Sequence, residues 1–135
     1  MSDVVHPDGW PRGQGYAHGI VAQGNVLTVA GQIGCDPRTL RVVSDDFAEQ
    51  VEQALHNIVA IVRKAGGQVE DVVRLTWYIT DRQAYLQQAK QIGTAYRRHF
   101  GAHYPAMSVV VVAGLLEARA QVEIEATAVL RAGTS

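Results

Sequence analysis

The sequence predicts a single α+β domain, a β-sheet with two helices packed on one of its faces. Three observations carry this. The stretches 47–65 and 85–100 place apolar residues three and four apart, the spacing of amphipathic helices. Residues 121–130 alternate apolar and polar, the period of a half-buried strand. The 135 residues are 47% apolar and 19% charged, enough for one core that needs no disulfide or metal to hold it.

The elements follow in order. Residues 1–13 form an N-terminal arm with neither the basic start nor the apolar run of a signal peptide. Tyr16–Ala22 and Val26–Ile33 read as the two strands of a hairpin around Gln23-Gly24-Asn25. Asp36-Pro37 starts another turn, since proline has no N–H for a ladder. In the first helix Phe47, Val51, Leu55, Ile58, Val62 and Ala65 share a face. Asp45 and Asp46 suit its N-terminus, and Gly66-Gly67 suits a left-handed stop.

Val72–Thr80 is a strand with Val73, Leu75, Trp77 and Ile79 on one face and Arg74, Thr76 and Tyr78 on the other. Thr80-Asp81-Arg82-Gln83 reads as a capping box that opens the second helix. That helix presents Tyr85, Ala89, Ile92, Tyr96 and Phe100, and it ends at Gly101 ahead of Pro105. Met107–Ala113 is a strand with apolar residues on both faces. Gln121–Leu130 sets Val122, Ile124, Ala126 and Ala128 against Glu123, Glu125, Thr127 and Val129, and residues 131–135 are a tail. The order is β-β-α-β-α-β-β. Two helices cover only one face of such a sheet, so the Val109–Val112 run needs a second cover, most cheaply another copy of the chain.

Charge narrows the partners. Twelve Lys and Arg against thirteen Asp and Glu give −1, with no electrostatic footprint for nucleic acid or an anionic membrane. No run approaches the ~20 apolar residues of a membrane span. The lone Cys35 points to a reduced, cytoplasmic setting.

Few polar residues suggest chemistry. Glu123 and Glu125 share the strand face turned away from the helices. Two solvated charges are the commoner reading of such a pair, but desolvation at an interface between copies would suit a carboxylate to acid–base work. His99 and His103 have the i, i+4 spacing of a metal site, but Gly101 intervenes and no third ligand is spaced to join them. His18 and His56 stand alone. Gly13-Gln14-Gly15 precedes a strand, whereas a dinucleotide loop would follow one. Asp36 disfavours the thiolate of Cys35. Trp77 and Tyr78 could stack a flat ligand, although a strand Trp more often faces a core. Arg12, Arg74, Arg97, Arg98 and Arg119 are candidate partners for a carboxylate or phosphate. Ser108 lacks the Gly-x-Ser-x-Gly setting of a hydrolase nucleophile.

Several stretches together resemble the RidA/YjgF family of small enamine and imine deaminases. They are Val29-Ala30-Gly31-Gln32-Ile33, Asn57 through Val62 with Ala65-Gly66, Asp71 through Thr76 with Asp81, Tyr96 through Gly101, Pro105-Ala106, and Val122 through Ala128. The order and spacing hold over roughly residues 14 to 130. The resemblance implies a chorismate-mutase-like fold and a homotrimer whose sheets form a central barrel, with helices outside and clefts between subunits. It implies hydrolysis of reactive enamines or imines such as 2-aminoacrylate to a keto acid and ammonia, with no cofactor and no metal. It gives Glu123 the handling of water or proton, and it makes Tyr16 and the Gly31 backbone part of the pocket lining.

The chain departs from the family pattern where the substrate carboxylate is bound. The family's Arg after Pro-Ala is Met107, its Ser before Gly-Gln is Ala30, its Cys two places after the Arg is Val109, and the Glu two further on is Val111. A thioether donates no hydrogen bond. Weak or absent activity on 2-aminoacrylate is therefore expected, with Ala30 and Met107 in the wall of a pocket rebuilt for a larger or less charged ligand. Arg12 or Arg119 is the expected substitute cation, and Trp10 and Trp77 are further candidates for the lining. The competing expectation is a non-catalytic trimer of the same fold that binds or senses a small molecule. Ribonuclease-like activity, described for some relatives, finds no basic stripe here.

Overall fold

The computed structural model describes residues 2–131, so Met1 and the tail residues 132–135 lie outside it. Strand β1 (Ser2–Val5) is followed by β2 (Gly19–Ala22), β3 (Asn25–Ile33) and a short ladder of β4 (Cys35–Asp36) with β5 (Arg41–Val42). Helix α1 (Phe47–Lys64) leads through a 3₁₀ turn (Val69–Asp71) into β6 (Val72–Ile79). Then come α2 (Arg82–Gln87), α3 (Ala89–Phe100), β7 (Ala106–Val111) and β8 (Val122–Leu130). The main sheet has the order β3-β8-β6-β7; β8 runs antiparallel to both its neighbours, and β7 runs parallel to β6.

Helix α1 forms where its end signals and its apolar stripe agree. The Asp46 carboxylate accepts the Glu49 N–H at 3.0 Å, taking one of the helix's free donors. At the other end Gly66 adopts φ 89°, and the N–H groups of Gly66 and Gly67 reach back to Arg63 O and Val62 O. The stripe between them buries Phe47, Val51, Leu55, Ile58 and Val62 against Leu75, Trp77 and Ile79 of β6 and against Val122, Ile124 and Ala128 of β8. Both helical layers lie on this face. The other face carries Glu123, Glu125 and Thr127 with Thr76 and Tyr78.

Three local expectations are corrected. The segments expected to make a hairpin across residues 16–33 are strands, but they do not pair with each other. The N-terminal arm supplies β1 as the partner of β2, and β3 pairs with β8, a strand of equal length far along the chain. The second helix is two, α2 and α3, broken at Gln88 (φ −102°, ψ 21°). There the side-chain oxygen accepts the Ala48 N–H at 3.0 Å, satisfying a free donor in the first turn of α1. The cap of α2 is Asp81, one residue beyond Thr80; its carboxylate accepts the N–H groups of Gln83 and Ala84.

Strand β7 lies at the sheet edge with Val109 36%, Val110 42% and Val111 56% exposed. No helix among the described residues is long and apolar enough to cross a membrane.

Candidate active site

The β3–β8 ladder slips between Val29 and Gln32, and Gly31 lies in that irregularity. Glu123 crosses it from β8. A Cβ on Gly31 would sit 2.5 Å from Glu123 Oε2 and 2.7 Å from its carboxyl carbon, so the carboxylate occupies the space that a side chain at residue 31 would take. Glu123 is half-buried and registers with Ile33 on one side and Tyr78 on the other. Ala30 is exposed, and its carbonyl accepts from the Gln32 side chain at 3.1 Å.

The two strand glutamates differ in their partners. The Tyr78 phenol donates to Glu125 Oε1 at 2.7 Å, and that bond holds its pKa above the usual tyrosine range, with the charge of Glu123 pushing the same way. Glu123 has no hydrogen-bond partner among the described residues, so its oxygens are available to water or substrate.

Met107 registers with Leu75 and packs toward the core, on the sheet face opposite Glu123. It borders a cavity of about 450 Å³ bounded by β6, β7, α2 and α3, with Gln14 and Gly15 at its edge. Trp77, Tyr85, Tyr104 and Arg97 also line it. Trp77 is 2% exposed, meets Tyr85 edge to face, and has an indole N–H without an acceptor among the described residues. Burial pushes the Tyr85 phenol up.

Arg12 and Tyr16 border a separate cavity of about 330 Å³ beside the N-terminal arm, with His6, His18 and His103. The Tyr16 ring lies over Gly13, and Gly15 and Tyr104 are common to both cavities. Arg119 is engaged elsewhere: its Nη2 and Nε meet Asp45 Oδ1 at 2.9 and 3.2 Å, ahead of α1. Trp10 is exposed and stacks edge-on against His18. Within one chain, then, Gly31 and Glu123 come together, Arg12 and Tyr16 come together, and Met107 stands with Arg97. The sequence marked Arg97 only as one arginine of five; a glycine one helical turn before it, at Gly93, is the signal that sets it apart. Tyr104 was missed altogether.

The remaining candidates are occupied or inert. His99 Nε2 lies 3.3 Å from Glu52 Oε1, and burial holds its pKa below the usual histidine value despite that carboxylate. His103 Nε2 bonds the Val72 carbonyl at 2.7 Å. No cluster of three or more His, Cys, Asp or Glu that could hold a metal occurs among the described residues. Burial, and then Asp36, push the Cys35 thiol up, which leaves it a poor nucleophile.

The family resemblance names Glu123 and the Gly31 backbone as parts of one pocket, and in the fold these two lie against each other. The family model described as Endoribonuclease L-PSP matches residues 11–130. The chain belongs to the RidA/YjgF family. It is 36% identical over 135 residues to the 2-iminobutanoate/2-iminopropanoate deaminase of Escherichia coli K12, covering 97% of this chain and 100% of that one. Among solved structures it matches the Rid-family protein YyfB from Yersinia pestis, described as of unknown function, with TM-score 0.82 and 28% identity over 96% of this chain and 98% of that one. It also matches Escherichia coli TdcF with bound serine, with TM-score 0.69 and 33% identity over 96% and 99%. The α+β fold expected from the sequence is the fold of these family members.

Proposed function

We propose that this RidA/YjgF member is an imine and enamine deaminase acting on a substrate other than 2-aminoacrylate. The observation that carries the reading is Glu123, a half-buried carboxylate without a hydrogen-bond partner among the described residues, set against Gly31. The chemistry asks little of the protein. An enamine tautomerises to the imine, water adds to the imine carbon, and the resulting carbinolamine expels ammonia to leave a carbonyl. Glu123 holds the water, takes its proton and returns it to the departing nitrogen. Relatives named as 2-iminobutanoate/2-iminopropanoate deaminases support the reaction class.

The substrate differs because Met107 offers no donor where the family pattern has a carboxylate-binding arginine. Glu123 and Met107 face opposite sides of one sheet, so a common site needs two copies of the chain. A homotrimer supplies it, with the Gly31–Glu123 side of one copy facing the Met107 cavity of the next. The exposed valines of the β7 edge support such closure. A lone thiol with no disulfide partner supports a cytoplasmic setting, and a net charge of −1 supports a small-molecule substrate over RNA.

The test is ammonia release from imines generated in situ by an amino-acid oxidase, read together with the mass of the assembly in solution. The wild type should run as a trimer and release ammonia, and Glu123→Gln should release it roughly 10²- to 10⁴-fold more slowly. Ligand binding without turnover in the wild type would instead make the chain a binding trimer. Full activity in Glu123→Gln removes the carboxylate from the mechanism.

A further inference from the structure

The wall of the cavity opposite β7 carries a cation. We propose that Arg97 of α3 is the anion-binding group of this site, and that the site takes an imine carrying both a carboxylate and an aromatic or similarly bulky apolar group. The assignment rests on the deaminase reading above and names the substrate class for it.

Three features support it. Arg98, the next residue, is paired with Glu52, and Arg119 with Asp45. Arg97 has no carboxylate partner among the described residues, and it lines the cavity. Its guanidinium lies back along the helix across Gly93: a Cβ there would sit 3.1 Å from Nη1 and 3.7 Å from Nη2. Arg97 is exposed, and its planar guanidinium, lying along the helix surface, presents donors in the geometry that a carboxylate matches with two bonds. A longer side chain at residue 93 would lift it away.

The rest of the lining is aromatic and apolar. Trp77 and Tyr85 meet edge to face with centroids 6.4 Å apart, Tyr96 stacks on Tyr104 at 5.1 Å, and Met107 brings a polarisable thioether suited to a ring edge. The hydroxyls of Tyr85 and Tyr104 have no hydrogen-bond partner among the described residues. The cavity, about 450 Å³, falls in the size range of pockets for drug-sized ligands and is far larger than a three-carbon imine fills. A carboxylate on Arg97 with a ring among Trp77, Tyr85 and Met107 uses both halves of the lining.

The test measures binding, so it needs no turnover. The probes are 3-phenylpropanoate, propanoate and 3-phenylpropanol, titrated against the assembled protein by calorimetry. 3-Phenylpropanoate should bind at least about tenfold tighter than either of the others. Arg97→Met should weaken 3-phenylpropanoate about tenfold and leave 3-phenylpropanol unchanged, while Arg97→Lys keeps part of the difference. Gly93→Leu, a better helix former than glycine, should hold the fold and lose the acid. Equal binding of propanoate and 3-phenylpropanoate, or an Arg97→Met protein that binds the acid like wild type, overturns the assignment. A protein that binds as expected but releases no ammonia from any imine keeps this assignment and loses the deaminase reading. One that deaminates small imines while Arg97→Met changes no probe affinity does the reverse.

Discussion

Tyr78 donates its phenolic hydrogen to Glu125 at 2.7 Å, and so two carboxylates on one strand face are made unequal. Glu125 is held by a tyrosine on the neighbouring strand, whereas Glu123 has no hydrogen-bond partner among the described residues. The two conservative replacements should therefore part company. Glu123→Gln should lower kcat for ammonia release by roughly 10²- to 10⁴-fold, the usual contribution of a positioned acid–base group. Glu125→Gln keeps a hydrogen-bond acceptor for Tyr78 and should leave kcat nearly unchanged. Equal losses would mean that the two residues act as one unit.

Gly31 tests position where Glu123→Gln tests identity. A methyl at residue 31 would meet the Glu123 carboxylate at 2.5 Å, so Gly31→Ala must move it. A displacement of about 1 Å from productive geometry is worth on the order of 10²-fold in rate. Gly31→Ala should fall by about that much in kcat while thermal unfolding shows the fold kept. An unchanged kcat would separate the carboxylate's position from the chemistry.

Met107→Arg should restore two-bond recognition of a small substrate's carboxylate. The expected outcome is a rise of about tenfold or more in kcat/KM for 2-iminopropanoate, since a charge-assisted pair is worth roughly 1.5–3 kcal/mol. Steady-state ammonia release checks it. No gain would place the carboxylate elsewhere for small and large substrates alike.

The α1–α3 contact should make the fold sensitive to acid. Burial holds His99 below its ordinary value of 6.5, so as pH falls through 6.5 the unfolded chain takes up a proton before the folded one does, and stability declines. Glu52 acts in the same direction lower down. Although its own burial works the other way, Arg98 and His99 hold it below 4.5; the stability this brings is present above pH 4.5 and fades as pH drops through its folded value. Urea unfolding at pH 7.5 and 5.5 should show a loss that is reduced in His99→Gln. An identical loss in that variant would assign the acid limb to other groups.

Features written in local periodicity were legible. The stripe of α1, its Asp46 cap, its Gly66 stop and the alternation of β8 depend on residues within a few positions of one another. Features that depend on distant partners were not. Nothing near Gln88 announces that its amide is used by Ala48, forty residues away, and so one long helix was read where two exist. The strand pairing of β2 is decided by β1 in an arm that reads as irregular. Glu123 was visible as a candidate, but its difference from Glu125 needs Tyr78, 47 residues from Glu125. Arg97 and Met107 line one cavity only because the fold sets α2 and α3 beside β6 and β7.

Strand β8 is the last element of the described chain, and it lies between β3 and β6, which do not pair with each other. During synthesis these two strands must leave the ribosome and wait, each with an open edge, for the segment that joins them. That segment also carries Glu123. A nascent chain stopped before residue 122 therefore has neither a continuous sheet nor the acid, and the proposed chemistry is withheld until the sheet is complete.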